Sequence, residues 1–343
     1  YLAKPVSGAL LEAAVMSILP KELVKLSEET SQAEIGKDIL IFEQAQRLSI
    51  MVTTDSVCDL PEPLKKEFGI SVCPYYVCTD QGRFMDELEL KADELLVHIA
   101  GGKHGVSEPP NVEDYERFFA ERLTEAQNVI HITMAKHVSQ GYQNAVEAAK
   151  SFENVTVVDS GHVSSSMGLA VLYAAYMAEN HATKGEIIDN VKRLRRYISS
   201  AFIIDSTHMM CRTGRIPKRV QILCDALLLH PVMRLRNSRM VVGGLEMGSF
   251  RHVTKGYIRK TLSDTRSIDR RILFITYAGM DERSLQYIQE LVQQHCPFER
   301  VYLQKASSAI SSNCGPGSFG LLFMRKNEVE IEFSKASDWE TTN

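Results

Sequence analysis

Polar side chains that could bind a small ligand follow short apolar runs at several points of the sequence. Thr54 ends a run that starts at Ile50, and Ser139 comes shortly after the run Val129–Thr133. Ser107 and Asn313 stand in two further turns rich in small polar residues. Open α/β sheets bind ligands beyond the carboxyl ends of their strands. The polar side chains that follow the first of these runs are therefore candidates for a ligand site at such an edge, and the other turns offer further hydroxyl and amide groups.

The first of these turns has a second interpretation. Asp59 stands directly before Leu60 and Pro61, and an aspartate in front of a helix that starts with proline is a common N-cap. The stretch Thr54–Pro61, taken alone, is therefore interpreted first as a helix cap and second as a ligand site.

A glycine-rich run near the end of the chain has the spacing of a dinucleotide fingerprint, G-x-G-x-x-G, at Gly315–Gly320. That fingerprint must follow a strand and open a helix, whereas the next run, Phe319–Met324, is typical of a strand. The run Gly101–His104 lacks the spacing and the hydroxyl residue of a P-loop. The sequence therefore predicts no nucleotide cofactor.

A serine hydrolase is an alternative, because a nucleophilic serine such as Ser139 needs a base and an orienting acid. His137 or His162 could be paired with Asp55 or Asp159. The spacing selects no set among them, and the G-x-S-x-G elbow is absent. Loss of ester turnover in Ser139→Ala would support this alternative.

The composition restricts the class of protein. The chain has 343 residues, of which 44% are hydrophobic and 24% are charged, and this is enough for two globular domains with their own cores. The net charge of −4 is small and no Lys/Arg block dominates, so neither nucleic acid nor an anionic membrane surface is predicted as a partner. Seven cysteines without a C-x-x-C pair predict a reducing, cytoplasmic setting and no metal site.

The longest nearly apolar run, Met167–Ala178, is shorter than the roughly 20 residues of a membrane-spanning helix, so no span is predicted. The chain begins at Tyr1 without the profile of a signal peptide, which predicts a fragment of a longer protein. The pair Lys4 and Pro5, followed by an amphipathic stretch that Pro20 stops, resembles the end of a response-regulator receiver domain.

Short β-branched runs alternate with longer stretches of helical spacing from residue 50 onward, as in Val112–Ala126, Met167–Glu179 and Lys184–Tyr197. This alternation predicts an α/β fold with mostly parallel sheets flanked by helices. The candidate strands are Ile50–Thr54, Val129–Thr133, Val155–Val158, Phe202–Ile204, Ile272–Tyr277, Val301–Gln304 and Phe319–Met324.

Five segments are predicted along the chain. The polar, charged helix Lys184–Tyr197 gives way to a new strand near residue 205, which places a domain boundary there. The segments are the receiver-like helix 1–20, a linker 21–48, an N-terminal α/β domain 49–205, a C-terminal α/β domain 206–334 and a tail 335–343.

The polar clusters, taken together and in order, resemble the motifs of the DegV family over roughly residues 50–325. The family motif T-D-S-x-C-D-L-P is matched by Thr54–Pro61, and its R-x-x-D by Arg83–Asp86. The other motifs correspond to Val106–Pro110, Val138–Ala145, Val157–Ser160, Gly214–Ile216, His230–Val232 and Asn313–Gly317.

The resemblance implies a protein of two α/β domains that binds a fatty acid. It implies an acyl chain in a tunnel near the domain junction and a carboxylate that is presented to a partner kinase, which uses ATP to phosphorylate it. It also implies that the binding protein is not itself an enzyme and has no cofactor beyond the bound lipid. The residues it implies at the ligand are Ser139, Val106, Ser107, Asn313 and Thr54.

The sequence departs from the family motifs at the head-group residues. The family has threonine where this chain has Val106, histidine at Asn313 and glutamine at Glu108. A Gly-Thr pair of the family is replaced by Gln140 and Gly141. An ionised Glu108 close to a carboxylate would repel it. A different lipid or a neutral amphiphile therefore stays an alternative ligand.

A second functional hypothesis comes from the receiver-like residues 1–20. They would make the remainder of the chain the signalling output of a receiver-containing protein, with a lipid or another small amphiphile as its ligand. An acidic pair and an acceptor aspartate upstream of Tyr1 would support this hypothesis.

Overall fold

The computed structural model describes residues 47–212 and 216–326. The predicted receiver-like helix 1–20 and the tail 335–343 lie outside the described residues, as does nearly all of the linker 21–48. The described residues from Ser49 onward form one compact unit. Within the described part, no helix is long and apolar enough to cross a membrane.

A four-stranded sheet lies in the first half of the described chain, with strand order β2-β1-β6-β7. The pairs β1/β2 and β6/β7 are parallel. Strands β1 and β6 each end in five buried residues, as expected for a parallel sheet covered on both faces. The strands are β1 (Leu48–Asp55), β2 (Ser71–Cys73), β6 (Ala126–Thr133) and β7 (Val155–Asp159).

Helices flank this sheet, which confirms the α/β prediction. Asn111 caps the third helix, because its side chain accepts a hydrogen bond from Asp114 N–H at 2.7 Å. The fifth helix is buried continuously from Ser164 to Ala175 and contacts strands of two sheets. The helices are α1 (Glu62–Glu67), α2 (Ala92–Ala100), α3 (Val112–Glu125), α4 (Gly141–Ala149), α5 (Ser164–Glu179) and α6 (Lys184–Leu194).

A six-stranded sheet lies in the second half, with strand order β10-β9-β8-β13-β11-β12. The pair β11/β12 is parallel, and the other four pairings are antiparallel. The strands are β8 (Ile198–Ile203), β9 (Leu229–Arg236), β10 (Arg239–Met247), β11 (Ile268–Tyr277), β12 (Arg300–Lys305) and β13 (Phe319–Arg325).

The prediction of mostly parallel sheets is therefore wrong for this second sheet. Strands β9 and β10 form a hairpin across Asn237 and Ser238, both at positive φ, and a two-residue turn of this kind joins antiparallel strands. Strand β13, the last of the sheet in the chain, lies between β8 and β11 and runs antiparallel to both. Strand β8 belongs to this sheet, although it lies before residue 206. The division into domains 49–205 and 206–334 stays a prediction.

A small antiparallel sheet, with order β4-β3-β5, carries the segment that contains Ser107. Its strands are β3 (Tyr76–Thr79), β4 (Gly82–Met85) and β5 (Gly105–Glu108). Strand β5 contacts the last helix, and this contact brings Ser107 near Asn313. The remaining helices are α7 (His208–Arg212), α8 (Lys218–Ala226), α9 (Phe250–Thr261), α10 (Glu282–His295) and α11 (Ser308–Cys314).

Candidate ligand-binding site

A cavity of about 550 Å³ is lined by residues from both halves of the described chain, and its volume is within the range of about 300–1,000 Å³ that small-molecule sites occupy. Most of its lining is apolar. Four methionines belong to it, and the methionine side chain adapts to irregular ligand shapes. The apolar lining includes Met134, Met210, Met233, Met240, Phe202, Ile204, Phe319 and Leu322.

Ser139 lies on the cavity wall in the turn between β6 and α4, close to the predicted strand end. Its Oγ is 2.9 Å from the hydroxyl of Tyr75 and accepts a hydrogen bond from Gly141 N–H at 3.1 Å. Tyr75 also lines the cavity. The sequence prediction missed Tyr75, because it lies between an apolar strand and β3 and belongs to none of the polar clusters.

Ser107 and Asn313 line the same cavity and contact each other, although they are 206 residues apart in the chain. The side-chain amide of Asn313 donates to Ser107 Oγ and to the Ala309 carbonyl, each at 2.9 Å. The amide is thereby fixed within α11. Ser107 accepts this bond and can donate its own proton to a ligand.

Val106 also lines the cavity and is 54% exposed, so it marks where the cavity approaches the surface. Thr54 is not among the lining residues. It is fully buried, and its hydroxyl donates to the Ile132 carbonyl at 2.8 Å, which joins β1 to β6. The structure thus brings Ser139, Val106 and the Ser107–Asn313 pair to one cavity and places Thr54 inside the sheet.

Glu108 does not line the cavity. Its carboxylate lies 3.3 Å from Arg83 Nη2 and accepts a hydrogen bond from the Cys78 thiol at 3.0 Å. Side chains alternate along a strand, so Glu108 lies on the face opposite Ser107, together with the half-exposed Val106. Arg212 is the one charged residue among the described residues of the lining.

Asp59 attaches helix α11 to the first half of the chain. Its Oδ1 accepts a hydrogen bond from Ser307 N–H at 2.9 Å, and its Oδ2 accepts one from Ser164, which lines the cavity. Burial raises the pKa of the Asp59 carboxyl to about 7, although the bond from Ser164 lowers it. The local cap interpretation is wrong, because Pro61 is the N-cap of α1 and Asp59 bonds to the start of α11 instead.

Asp86 supports the same helix. Its Oδ1 accepts hydrogen bonds from Ala309 N–H at 2.8 Å and from the Ser308 hydroxyl, while its Oδ2 accepts one from Ser56 at 2.6 Å. Asp86 ends the R-x-x-D motif and is 1% exposed. The polar motifs near Thr54 and Arg83 therefore include residues that position α11, and with it Asn313, at the cavity.

The contacts of the residues named for nucleotide binding, hydrolysis and metal binding bear on these alternative chemistries. The prediction that Phe319–Met324 is a strand is confirmed, so the glycine-rich run leads into β13 and not into a helix. The described hydrogen-bond partners of the Ser139 hydroxyl are the Tyr75 hydroxyl and Gly141 N–H, and neither is a base. Among residues 47–212 and 216–326, no group of three or more His, Cys, Asp or Glu is placed to hold a metal ion.

Comparison with known proteins identifies relatives of this chain. The family model described as "Uncharacterised protein, DegV family" matches residues 49–326. A DegV domain-containing protein of Caldanaerobacter subterraneus subsp. tengcongensis is 26% identical over 281 residues, which are 81% of this chain and 99% of that protein.

Two solved structures have the same fold. One is described as fatty acid binding of a DegV family protein from Thermus thermophilus; it is 27% identical, covers 81% of this chain and 100% of its own, and has a TM-score of 0.73. The other is a DegV family protein from Eubacterium eligens loaded with heptadecanoic acid, at 18% identity, the same coverage and a TM-score of 0.70. Since the family model spans most of the sequence, the chain belongs to the DegV family.

Proposed function

We propose that this protein binds a long-chain fatty acid in the cavity, with its carboxylate at the wall formed by Ser139, Ser107, Asn313 and the Val106 backbone. The observation that carries the proposal is the meeting of these residues, distant in the sequence, on one largely apolar cavity. The Thermus thermophilus relative, described as binding fatty acid, supports the same class of ligand.

The apolar lining supplies most of the affinity in this proposal. Burial of an alkyl chain contributes about 0.8 kcal/mol per CH₂ group. The four methionines and the aromatic side chains of Phe202 and Phe319 offer this surface. The head group then needs hydrogen-bond partners, because a buried carboxylate without them is costly.

Charge favours an acid over a cationic amphiphile. Arg212, the one charged residue of the described lining, is cationic, and its guanidinium donates to the Gly102 and Lys103 carbonyls. Glu108 does not line the cavity and is turned toward Arg83. The repulsion that Glu108 could exert on a carboxylate is thereby reduced. A neutral amphiphile stays the second candidate ligand, since the donors at Ser107 and Ser139 are uncharged.

The proposal includes two further features of the family resemblance. It places the cavity near the junction of two α/β domains, 49–205 and 206–334. It also has the protein present the carboxylate to a partner kinase, with no catalytic role of its own. The exposure of Val106 and Gln140 at the cavity supports access of a kinase to the carboxylate.

Hydroxylamine trapping of an acyl phosphate, after incubation of the loaded protein with ATP and a purified fatty-acid kinase, would test the presentation of the carboxylate to a kinase.

Solvent extraction of the purified protein, followed by mass spectrometry, tests the ligand. We expect a fatty acid in about equimolar amount, or saturable binding and thermal stabilisation when one is added. The variant Met240→Trp, which fills the cavity from β10, should lose the lipid. The matched control Met247→Trp lies on the same strand, is 64% exposed and does not line the cavity, and it should keep the lipid. If no fatty acid co-purified and added fatty acid neither bound nor stabilised the protein, the proposal would be contradicted.

A further inference from the structure

Tyr75 and Ser139 form a hydroxyl pair on the cavity wall. Their oxygens are 2.9 Å apart, and both residues line the cavity. Tyr75 is 2% exposed. Its backbone N–H donates to Ser56 Oγ at 3.0 Å, which holds the backbone in place just before β3. Burial holds the pKa of Tyr75 well above its ordinary value, so the phenol keeps its proton.

A count of protons shows what this pair can do. A hydroxyl has one proton to donate and two positions to accept. Ser139 Oγ already accepts from Gly141 N–H, and the pair uses one of its two protons in the bond between the oxygens. In either direction of that bond, one proton has no further acceptor among the described hydrogen bonds. A ligand oxygen in the cavity is the acceptor that the geometry offers.

Gly141 is the residue that allows this arrangement. A Cβ atom at residue 141 would collide with the Tyr75 hydroxyl and would lie 3.2 Å from the Tyr115 hydroxyl. The absence of a side chain at this position therefore leaves room for the Tyr75 hydroxyl to reach Ser139. The tyrosine oxygen takes up space that a larger residue at 141 would fill.

We propose that Tyr75 is a specificity-determining residue of the head-group site, and that Tyr75 and Ser139 together donate one hydrogen bond to an oxygen of the ligand. This inference rests on the proposed function. The pair presents an uncharged donor, so it selects amphiphiles whose head group has an accepting oxygen, such as a carboxylate.

The test is a double-mutant cycle on the full chain, with the Kd of a 16-carbon saturated fatty acid as the readout. Tyr75→Phe and Ser139→Ala each leave one hydroxyl, so each should raise the Kd by less than about threefold. The double variant loses the last proton, and its Kd should exceed that of Ser139→Ala by about tenfold or more. Equal Kd values for Ser139→Ala and the double variant would overturn the inference.

Tyr115→Phe is the matched control, because Tyr115 also lies against Gly141 but does not line the cavity. Its hydroxyl donates to Asp55 Oδ1 at 2.8 Å, so its loss should lower the melting temperature. In the Ser139→Ala background it should change the Kd by less than about twofold. If Tyr115→Phe raised the Kd in the Ser139→Ala background as much as Tyr75→Phe does, the effect of both changes would be structural, and the inference would be overturned. If the wild-type chain binds no fatty acid, the proposed function itself fails.

Discussion

At the scale of the residue, Asp59 combines deep burial with a structural task. Its carboxyl accepts hydrogen bonds from Ser164 and from Ser307 N–H, and burial raises its pKa from 3.8 to about 7. Because the folded-state pKa lies above that of the unfolded chain, the stabilisation that comes from the protonated form is complete below about pH 4. It is lost as the pH rises through about 7.

Asp59→Asn should remove this pH dependence, since the amide cannot ionise. We expect the free energy of unfolding of Asp59→Asn, relative to the wild type, to rise between about pH 5 and about pH 8. Urea unfolding at several pH values measures this difference in the free energy of unfolding. Asp281→Asn is the control, because Asp281 is an exposed N-cap of α10 whose pKa is lowered by its bonds to Ser284. Its difference from the wild type should stay constant over this range, and a constant difference for Asp59→Asn would contradict the prediction.

At the scale of the element, helix α11 depends on acidic side chains from the first half of the chain. Asp86 accepts bonds from Ser308 and Ala309 at the start of the helix, and Asn313 near its end reaches Ser107. The helix has seven residues, and so short a helix is not stable by itself in water. Its tertiary bonds therefore decide where Asn313 lies.

Asp86→Ala should leave these buried donors without a partner and destabilise the protein by about 2–4 kcal/mol. It should also weaken fatty-acid binding, because α11 carries several residues of the cavity wall. Urea unfolding and the Kd measure the two effects. Asp93→Ala is the control, because Asp93 is an exposed residue in the first turn of α2 that pairs with Lys305, and its loss should cost less than about 1 kcal/mol. Similar losses of stability and of binding in the two variants would contradict the inference that Asp86 positions α11.

The hairpin of β9 and β10 offers a second prediction for an element. Ser238 has φ of 59° in the two-residue turn, a conformation that costs an ordinary residue about 1–2 kcal/mol. Ser238→Gly should therefore raise the free energy of unfolding, by up to about 1 kcal/mol once the greater freedom of glycine in the unfolded chain is included. Asn237→Gly should gain less, because asparagine tolerates this region. Thermal unfolding measures the stability of both variants. A loss of stability in Ser238→Gly would contradict the inference that Ser238 is strained.

At the scale of the whole molecule, the cavity joins parts of the chain that are far apart in sequence. Its described lining extends from Val57 to Leu322 and includes residues of both larger sheets or of the turns that follow their strands. A ligand in it would contact these parts together. Binding and global stability should therefore be linked.

A fatty acid at about 100 times its Kd should raise the free energy of unfolding by about 2.7 kcal/mol. Urea unfolding with and without the acid measures this shift. Met240→Trp should show no shift, whereas Met247→Trp should match the wild type. A shift in Met240→Trp as large as in the wild type would place the ligand elsewhere.

Much of the local structure could be predicted from the amino-acid sequence. Buried apolar runs predicted β1, β6, β7 and most of β11, because β-branched residues between polar turns favour strands. The resemblance to the DegV motifs implied Ser139, Ser107 and Asn313, because such motifs of small polar residues at turns can be recognised in a single sequence. The antiparallel pairing of the second sheet was not predicted, because alternation of strands and helices does not specify the direction in which distant strands pair.

Packing between distant segments decides which of these residues share a site. Thr54 and Ser139 have similar sequence contexts, yet Thr54 bonds within the sheet and Ser139 faces the cavity. Tyr75 has no polar motif around it, and its role depends on the space left by Gly141, 66 positions along the chain. Side-chain direction and contacts between distant segments are set by packing, and no local pattern carries that information.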